Sequence, residues 1–261
     1  MSEIIRIKKG LNINLKGKAD KIYLRPPRAK TYAVKPIDFH GIRPKLLVKS
    51  GDSVDVGAPL FFNKYNPDVK FTSPVSGSVK EIVRGERRMI LEVVIEPAAD
   101  DKYLEYKVSD PMKMKKEGVT KVLLESGLWP MIRQRPYSVI ANPADTPRDI
   151  FISGFDSAPL APDIDFLMKD LGVSFQKGVD VLNELTEGSV HLSVCADYPG
   201  CDTFNKAKNI KLHKFSGPHP AGNVGIQIHH ITPINKGDIV WYLSPQDVVS
   251  IGNSFLNGKI D

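Results

Sequence analysis

The sequence predicts an α/β protein with a separate all-β module near the start of the chain. Between Gly51 and Glu96, turn residues recur at short intervals, and the segments between them have the length and apolar composition of strands. Beyond residue 100, short apolar strands alternate with helical patterns, which is typical of an α/β domain. We therefore expect a basic β segment at residues 1–30, the β module at 31–100 and the α/β domain at 101–261.

The expected elements follow from apolar periodicity and from turn and capping residues. Strands are predicted at residues 5–7, 11–15, 31–34, 60–62, 69–71, 79–83 and 89–95, with a turn at 66–68. In the α/β part, the predicted strands are 150–152, 190–195, 210–215 and 239–243. The predicted helices are 118–126, which ends at Gly127, 163–185, which is broken near 171–172, and 245–256, which has Ser244 as its N-cap.

Three motifs of the β module stand in order: Gly-Asp-x-Val at 51–54, Gly-x-x-Leu at 57–60 and Ser-Pro-x-x-Gly-x-Val at 73–79. This order resembles the biotinyl and lipoyl carriers, whose fold is a barrel-sandwich of two similar halves. Those carriers place a lysine at a hairpin tip seven residues before the Ser-Pro pair, and this chain has Asn66 there, between Lys64 and Lys70. The resemblance therefore implies a shared fold without a working swinging arm, and a carrier-type protein remains an alternative.

Composition places the chain among ordinary soluble proteins, with 41% apolar and 25% charged residues over 261 residues. No apolar run approaches the ~18–20 residues that a membrane span requires. The first ten residues lack the apolar core of a signal peptide, and two cysteines are too few for a disulfide framework. We expect a cytosolic protein whose Cys195 and Cys201 are reduced.

Positive charge is concentrated in residues 1–50, which hold thirteen Lys or Arg and three acidic residues. This segment therefore carries +10, and the rest of the chain carries −4, because the whole chain is +6. Such asymmetry favours an acidic partner, a membrane surface or nucleic acid, although a merely solvated face is an equal alternative. The segment lacks the interleaved aromatic residues of nucleic-acid binders, so we expect no nucleic acid.

The loop at residues 35–44 is bracketed by Pro36 and Pro44 and sets an acid, an aromatic ring, an imidazole and a guanidinium close together. Loops of this composition often bind ligands, but many are plain connectors. Both interpretations stay open at this point.

Several kinds of chemistry lack their motifs. No Gly-x-Gly-x-x-Gly fingerprint is present, and the glycine-rich stretch at 217–225 contains two prolines that remove amide donors, so we expect a rigid turn there. His213, His219, His229 and His230 lack metal-ligand spacing, and adjacent histidines on a strand point to opposite faces. No nucleophile elbow surrounds a serine. The α/β part is thus predicted to be Rossmann-like without nucleotide or metal binding.

A series of short motifs spans almost the whole chain. They are Ile-Lys-Lys-Gly-Leu at 7–11, Gly-Ile-Arg-Pro at 41–44, Asn-Pro-x-Val-x-Phe-Thr at 66–72, Gly-x-Val at 77–79, Arg-Gly-x-x-Arg at 84–88, Ser-Gly-Leu-Trp at 126–129, Arg-x-Arg-Pro at 133–136, Ala-Pro-Leu-Ala at 158–161, Gly-x-Asp-x-Leu at 178–182, Leu-Thr-Glu-Gly at 185–188, Gly-Pro-His-Pro-Ala-Gly at 217–222 and Gln-Asp-Val at 246–248. Their order and spacing resemble the alpha subunit of the sodium-translocating NADH:quinone reductase.

The resemblance implies a peripheral protein on the cytoplasmic face of the bacterial inner membrane. It would dock on the membrane subunits of a six-subunit complex that carries electrons from NADH to quinone and pumps sodium. The family looks related to the flavoprotein subunit of respiratory complex I and to the C subunit of the Rnf complex, which hold FMN with a glycine-rich loop. Here Leu128, Trp129 and Met131 stand in place of those glycines. We therefore expect no flavin, NADH or iron–sulfur cluster in this chain.

What remains is quinone binding, or organisation of the quinone site as a non-catalytic docking module. A headgroup needs an apolar slot and donors aimed at its two carbonyl oxygens. We predict two quinone-facing stretches and no catalytic residue; the candidates are Phe39, His40, Arg43, Trp129, Arg133, Arg135 and Tyr137. The alternative is that Trp129 and Tyr137 belong to the core and the arginines are paired on the surface. Because the family's chains continue further, we also expect this chain to be a fragment.

Overall fold

A computed structural model describes residues 3–17 and 19–260 of the chain. Its strands are β1 (Ile4–Arg6), β2 (Tyr32–Val34), β3 (Pro44–Leu46), β4 (Ser53–Val54), β5 (Pro59–Asn63), β6 (Asn66–Thr72), β7 (Gly77–Arg84), β8 (Ile90–Pro97), β9 (Arg133–Arg135), β10 (Val139–Ile140), β11 (Asp149–Ser153), β12 (Val190–Cys195), β13 (Lys211–Ser216) and β14 (Val240–Leu243). Its helices are α1 (Pro111–Glu125), α2 (Ile164–Leu167), α3 (Gly172–Asn183), α4 (Asp202–Asn205), α5 (Val224–Ile231) and α6 (Pro245–Asn257). Single 3-10 turns occupy Pro36–Asp38, Glu86–Arg88 and Trp129–Met131.

The chain divides into two compact units. The α/β unit contains the described residues of Met1–Leu24, together with Gln134–Pro136 and Ala144–Gly252. The β-rich unit contains Arg25–Arg133, Tyr137–Pro143 and the described residues of Asn253–Asp261. These units do not follow the three predicted ranges, because the chain crosses between them several times.

The α/β unit is built on parallel strands in the order β1-β13-β12-β11-β14. The chain runs outward from β11 through β12 to β13 and then returns to β14 on the other side of β11. The carboxyl ends of β11 and β14 therefore form a topological switch point, the place where open α/β sheets bind ligands. Strands β11 and β12 are almost completely buried, as expected for parallel strands covered on both faces.

The predicted helices of this unit are confirmed. The break near 171–172 separates α2 from α3, and Asp170 adopts a positive φ of 63° at that point. Phe175, Val179 and Leu182 are completely buried along one face of α3. Ser244 starts α6 as predicted, and Gly258 follows its end with a φ of 69°.

The β-rich unit contains two antiparallel sheets, β2-β8-β7-β4 and β3-β5-β6. Their inward residues, including Leu60, Phe61, Val69, Val79 and Val93, are at most 1% exposed. The strands predicted in the module are all present. The predicted turn at 66–68 is wrong, because Asn66 pairs with Asn63 and the two-residue turn is Lys64–Tyr65. Pro67 is tolerated in β6 because β6 lies at a sheet edge.

The residues after 97 stay attached to the β module through hydrogen bonds to Ser76. The Ser76 hydroxyl donates to the Lys102 carbonyl at 2.6 Å and accepts from the Lys102 amide at 2.7 Å. The Asp101 carboxylate accepts from the Ser76 amide at 2.9 Å. Helix α1 then packs on β6, and its end at Gly127 (φ 73°) is as predicted. The β-rich unit therefore extends well beyond residue 100.

The N-terminal segment departs from the prediction of a separate β segment. Strand β1 joins the α/β sheet beside β13, with Ile4 opposite Lys214. The second predicted strand, at 11–15, is wrong: Leu11, Ile13 and Leu15 alternate with polar residues but pair with no described strand and are 75%, 61% and 49% exposed. Alternation alone does not form a strand where no partner edge is available. Of the basic residues here, Lys18 lies outside the described residues.

Among the described residues, no helix combines the length and the apolar character that crossing a membrane requires.

Candidate functional site

A cavity of about 630 Å³ opens at the switch point of the α/β unit, and all of its lining residues belong to that unit. The end of β11 contributes Ser153 and the segment after it Phe155, while Ser244 follows β14 and Gln246 lies in the first turn of α6. The start of α5, residues 222–226, closes a third side. The volume is within the range of small-molecule sites.

Arg135 is the cation of this cavity. Its guanidinium carbon lies 4.7 Å from the centroid of the Tyr242 ring, which is within cation–π distance. Gly225 lies beside this guanidinium, because a Cβ on Gly225 would lie at an ordinary contact distance of 3.7 Å from Arg135 Nη2. The buried Arg135 Nε has no hydrogen-bond partner among the described residues. Surface pairing of the arginines was the alternative to a quinone role, and no ion pair of Arg135 occurs in the described part of the chain.

The two helices that begin at the cavity differ in their capping. At α6, the Ser244 hydroxyl accepts from the Asp247 amide at 3.2 Å, and the Asp247 carboxylate accepts from the Ser244 amide at 3.0 Å. This is a reciprocal cap that places a negative charge at the helix start. At α5, the Asn223 side chain makes no capping hydrogen bond. The start of α5 thus keeps its positive partial charge toward the cavity.

Five of the predicted quinone candidates lie on or near one surface of the β-rich unit, which we call the loop–hairpin surface; it consists of the loop at 36–43 and the hairpin at 133 and 137–140. A Cβ on Gly41 would lie 3.5 Å from Val139 Cγ1, so the loop and the hairpin are in contact. Phe39 is half-buried, with its ring centroid 4.4 Å from that of Phe71. Phe71 in turn stacks on Phe61 at 4.7 Å. The loop therefore rests on an aromatic cluster.

The polar candidates on this surface differ in exposure. His40 and Arg43 are exposed, and Tyr137 is 80% exposed, so it does not belong to the core. Arg133 donates from Nε and Nη2 to the Ser138 carbonyl oxygen at 3.1 and 2.7 Å. This arginine holds the hairpin closed, with part of its side chain still accessible.

Trp129 is completely buried, as in the alternative that assigned it to the core. Its indole Nε1 donates to the Ala141 carbonyl oxygen at 2.7 Å, and the Ala141 amide donates to the Ile132 carbonyl oxygen at 2.9 Å. The indole is therefore inaccessible to a ligand, and its hydrogen bond to Ala141 stabilises the hairpin. Arg135 belongs to the α/β unit, whereas the other six quinone candidates belong to the β-rich unit.

A buried polar chain near the amino ends of the strands was missed by the sequence analysis. His191 Nε2 lies 3.2 Å from Asp149 Oδ1, and His191 Nδ1 lies 2.9 Å from His213 Nε2. Burial lowers the pKa of His191, and burial together with the nearby His191 and Lys211 charges lowers the pKa of His213 to about 4. His191 lies within the apolar strand β12 and carries no sequence signal of its own. The pairing of β12 with β11 and β13 brings it next to Asp149 and His213.

The chain should lose stability as the pH falls from about 6.5 to about 4. In the unfolded chain His213 has a pKa near ~6.5, so in this window the unfolded state binds a proton that the folded state excludes. Urea unfolding at pH 7 and pH 5 measures this loss, and His213→Gln should reduce it. The exposed His40 serves as control through His40→Gln. An undiminished loss in His213→Gln would contradict the assignment.

The remaining histidine and cysteine predictions have mixed outcomes. His229 and His230 lie in helix α5 and not on a strand, so the argument from opposite strand faces was wrong. No group of three or more His, Cys, Asp or Glu suited to a metal occurs among residues 3–17 and 19–260. Cys195 and Cys201 are both free thiols, as predicted, and burial raises the pKa of each.

The carrier lysine position, Asn66, and its neighbour Lys64 lie at the hairpin between β5 and β6. Lys64 lies in the two-residue turn between β5 and β6 and is exposed, while Asn66 already belongs to β6. The Lys64 amide donates to the Arg43 carbonyl oxygen at 2.7 Å. The hairpin tip is therefore anchored to the loop at 36–43.

The two units together define a class of protein, one that combines a barrel-sandwich module with an open-sheet α/β domain. Residues 5–98 match the family model of the NqrA N-terminal barrel-sandwich hybrid domain, and residues 114–260 match that of the NqrA second alpha/beta domain. The predicted fold class is thereby confirmed. The chain belongs to the NqrA family.

Curated relatives agree with this assignment. The chain is 38% identical over 259 residues to the A subunit of the Na(+)-translocating NADH-quinone reductase of Yersinia pseudotuberculosis serotype O:1b (strain IP 31758), which covers 98% of this chain. It is 37% identical over 262 residues to the protein of the same name from Neisseria gonorrhoeae (strain NCCP11945), which covers 99% of this chain. In both comparisons the chain spans 58% of the relative's length. The resemblance predicted from the motifs is confirmed.

Proposed function

We propose that this chain acts as part of the NqrA component of a sodium-translocating NADH:quinone reductase, on the cytoplasmic face of the bacterial inner membrane. Its role there is to contribute to the binding and reduction of quinone, with no tightly bound flavin, NADH or iron–sulfur cluster of its own. The family assignment and the 38% identity over almost the whole chain support the placement in this complex. The other subunits of the complex and the quinone are then its partners.

The observation that carries the quinone assignment is the contact between loop and hairpin in the β-rich unit. The two stretches proposed for the quinone meet at Gly41 and Val139, although about a hundred residues separate them in sequence. A half-buried Phe39 backed by Phe71 offers an apolar edge for a headgroup. Apolar contact surface with a few polar groups beside it is typical of small-molecule sites.

The polar groups on this surface are suited to the carbonyl oxygens of a quinone. Arg43 and Tyr137 are exposed donors, and His40 is a further donor on the same loop. Hydrogen bonds to the quinone oxygens strengthen as these become negative during reduction. Trp129 and Arg133 act indirectly, because they fix the hairpin through Ala141 and Ser138. The chain therefore binds and orients the headgroup, and electrons come from elsewhere in the complex.

Each unit contains one tryptophan, so quinone binding can be assigned to a unit. Trp241→Phe leaves Trp129 as the reporter of the β-rich unit, and Trp129→Phe leaves Trp241 as the reporter of the α/β unit. Titration with a short-chain soluble quinone should quench Trp129 fluorescence saturably. Phe39→Ala should weaken this binding about tenfold, which corresponds to ~1.4 kcal/mol.

The matched control is Tyr65→Ala, which removes a 74% exposed ring from the hairpin tip of the same unit and should leave binding unchanged. Linear quenching in both single-tryptophan proteins would contradict a quinone site in this chain. Saturable quenching of Trp241 alone would move the site to the α/β unit.

A row of exposed apolar side chains at residues 11–15 supports a role in docking to the complex. Leu11, Ile13 and Leu15 are exposed beside Lys9 and Lys16, in a segment without regular structure. Exposed apolar groups in a row are typical of a surface that a partner covers, and we propose that one of the other subunits of the complex covers this one.

Replacement of Leu11, Ile13 and Leu15 by serine should therefore abolish copurification of the NqrA protein with the membrane subunits. The folded state should be retained, because these side chains contribute little buried area. Serine replacements of Leu160, Val173 and Tyr198, which are 89%, 76% and 68% exposed in the same unit, are the control and should copurify. Full copurification of the first variant would contradict the docking role.

A further inference from the structure

We propose that the cavity at the switch point of the α/β unit binds a phosphate monoester whose alcohol part is flat and apolar. This site is separate from the loop–hairpin surface, and the proposal does not rest on the quinone assignment. Its location is where open parallel sheets bind their ligands, outside the carboxyl ends of β11 and β14.

The cavity has a positive end. Arg135 lines it, with its guanidinium over Tyr242 and its buried Nε without a partner among the described residues. No ion pair joins Arg135 to a carboxylate among the described residues, so its guanidinium can offer a fork of donors to a phosphate. Asp156 also lines the cavity, and its Oδ1 accepts from the Ala158 amide at 2.8 Å. Its negative charge disfavours an anion beside it, so the phosphate is assigned to Arg135 and the start of α5.

The start of α5 adds to this positive end. Val224 and Gly225 line the cavity at the first turn, and the Asn223 side chain does not cap them. Amides at an uncapped helix start favour an anion such as phosphate. The reciprocal cap at Ser244 and Asp247 makes the start of α6 unsuited to an anion, so the two helix starts are not equivalent.

The rest of the cavity suits the alcohol part of the ligand. Phe155, Pro162, Ile164 and Leu243 supply apolar walls, and the volume of about 630 Å³ is far larger than a phosphate group needs.

The stretch at 217–225 has no nucleotide fingerprint, but the lack of a fingerprint does not exclude an anion at the start of α5. Pro218 and Pro220 lie before the helix, whereas Val224 and Gly225, which line the cavity, form the first turn of α5 and keep their amide hydrogens. Gly222 approaches the segment at 156–157 so closely that a side chain would not fit, and its amide donates to the Ser157 hydroxyl at 2.8 Å. The turn is rigid and presents the helix start to the cavity.

The test is calorimetric titration of the chain with phenyl phosphate, with phenol and inorganic phosphate as separate titrants. The proposal expects saturable binding of phenyl phosphate at least tenfold tighter than that of either fragment. Arg135→Gln should weaken it at least tenfold, whereas Arg133→Gln, which alters an arginine two residues away in the other unit, should leave it unchanged.

A second variant tests whether weaker phenyl phosphate binding in Arg135→Gln could result from loss of folding. Gly225→Asp places a carboxylate beside Arg135, where a Cβ fits, at the start of α5, where an acidic residue stabilises a helix. It should abolish phenyl phosphate binding while urea unfolding shows an intact α/β unit. Equal binding of phenol, binding of inorganic phosphate as tight as that of phenyl phosphate, or unchanged binding in both Arg135→Gln and Gly225→Asp would overturn the proposal. Quinone binding should be unaffected by Arg135→Gln, so the two proposals fail independently.

Discussion

Replacing Gly178 with alanine should destabilise the α/β unit by about 3 kcal/mol, the upper part of the range for overpacked cores. Gly178 lies in α3 where the helix crosses α6, and a Cβ there would lie less than 3.0 Å from the Val248 carbonyl oxygen and side chain. The contact is reciprocal, because a Cβ on Gly252 of α6 would come equally close to the Ser174 carbonyl oxygen. Backbone meets backbone at this crossing, so neither helix can yield by rotating a side chain.

The same helix provides the control. Gly172 begins α3, and a Cβ there would lie 3.9 Å from Thr203 Oγ1, an ordinary contact distance. Gly172→Ala should be neutral or stabilise by about 0.5–1 kcal/mol, because alanine restricts the unfolded chain. Urea unfolding followed through Trp241 fluorescence measures both variants. Similar small effects of Gly178→Ala and Gly172→Ala would show that the helices do not cross as closely as described.

The second large effect is expected from Asp149→Ala. The Asp149 carboxylate accepts from the Ser189 amide at 3.1 Å, from His191 Nε2 at 3.2 Å and from Arg148 Nε at 3.0 Å. Alanine would leave a buried amide and a buried imidazole without an acceptor and would remove one of the two acidic partners of Arg148, whose Nη1 also binds Asp238 at 2.5 Å. Breaking such a buried network costs about 3–5 kcal/mol.

Asp149→Asn separates the hydrogen bonds from the charge. The asparagine Oδ1 still accepts from Ser189 and His191, so this variant should lose only about 1.5–3 kcal/mol, the value of one hydrogen bond to a charged group. The measurement is again urea unfolding at pH 7. If the alanine and asparagine variants were equally stable, the buried donors would not depend on Asp149.

The parts of the fold that depend on local pattern were predictable from the sequence. The apolar spacing of Phe175, Val179 and Leu182 defines the buried face of α3 whatever it packs against. Ser244 and Gly258 mark the ends of α6 by capping chemistry alone. The strands of the β module alternate inward and outward, so their positions follow from a period of two.

The parts that depend on pairing between distant segments were not predictable. Strand β1 finds its partner about two hundred residues later in β13, and no local signal distinguishes it from the unpaired segment at 11–15. The turn at Lys64–Tyr65 depends on the register between Asn63 and Asn66, which outweighs the turn preference of Pro67. His229 and His230 were assigned to a strand because a short apolar run does not distinguish a strand from a buried helix.

The candidate sites show the same division. The loop at 35–44 and the hairpin around Arg133 stand out by composition, and their contact through Gly41 and Val139 follows only from the fold. Arg135 is chemically equivalent to Arg133 in the sequence, but the two belong to different units. The cavity of Arg135, Tyr242 and Gln246 has no sequence signature, because the strand order creates it.

Hydrogen–deuterium exchange with and without a saturating short-chain quinone tests whether quinone binds at the loop–hairpin surface. We expect slower exchange in the loop at 36–43 and in the hairpin at 133 and 137–140, and unchanged exchange in α5. Protection confined to α5 and the start of α6, or no protection anywhere in the chain, would contradict it.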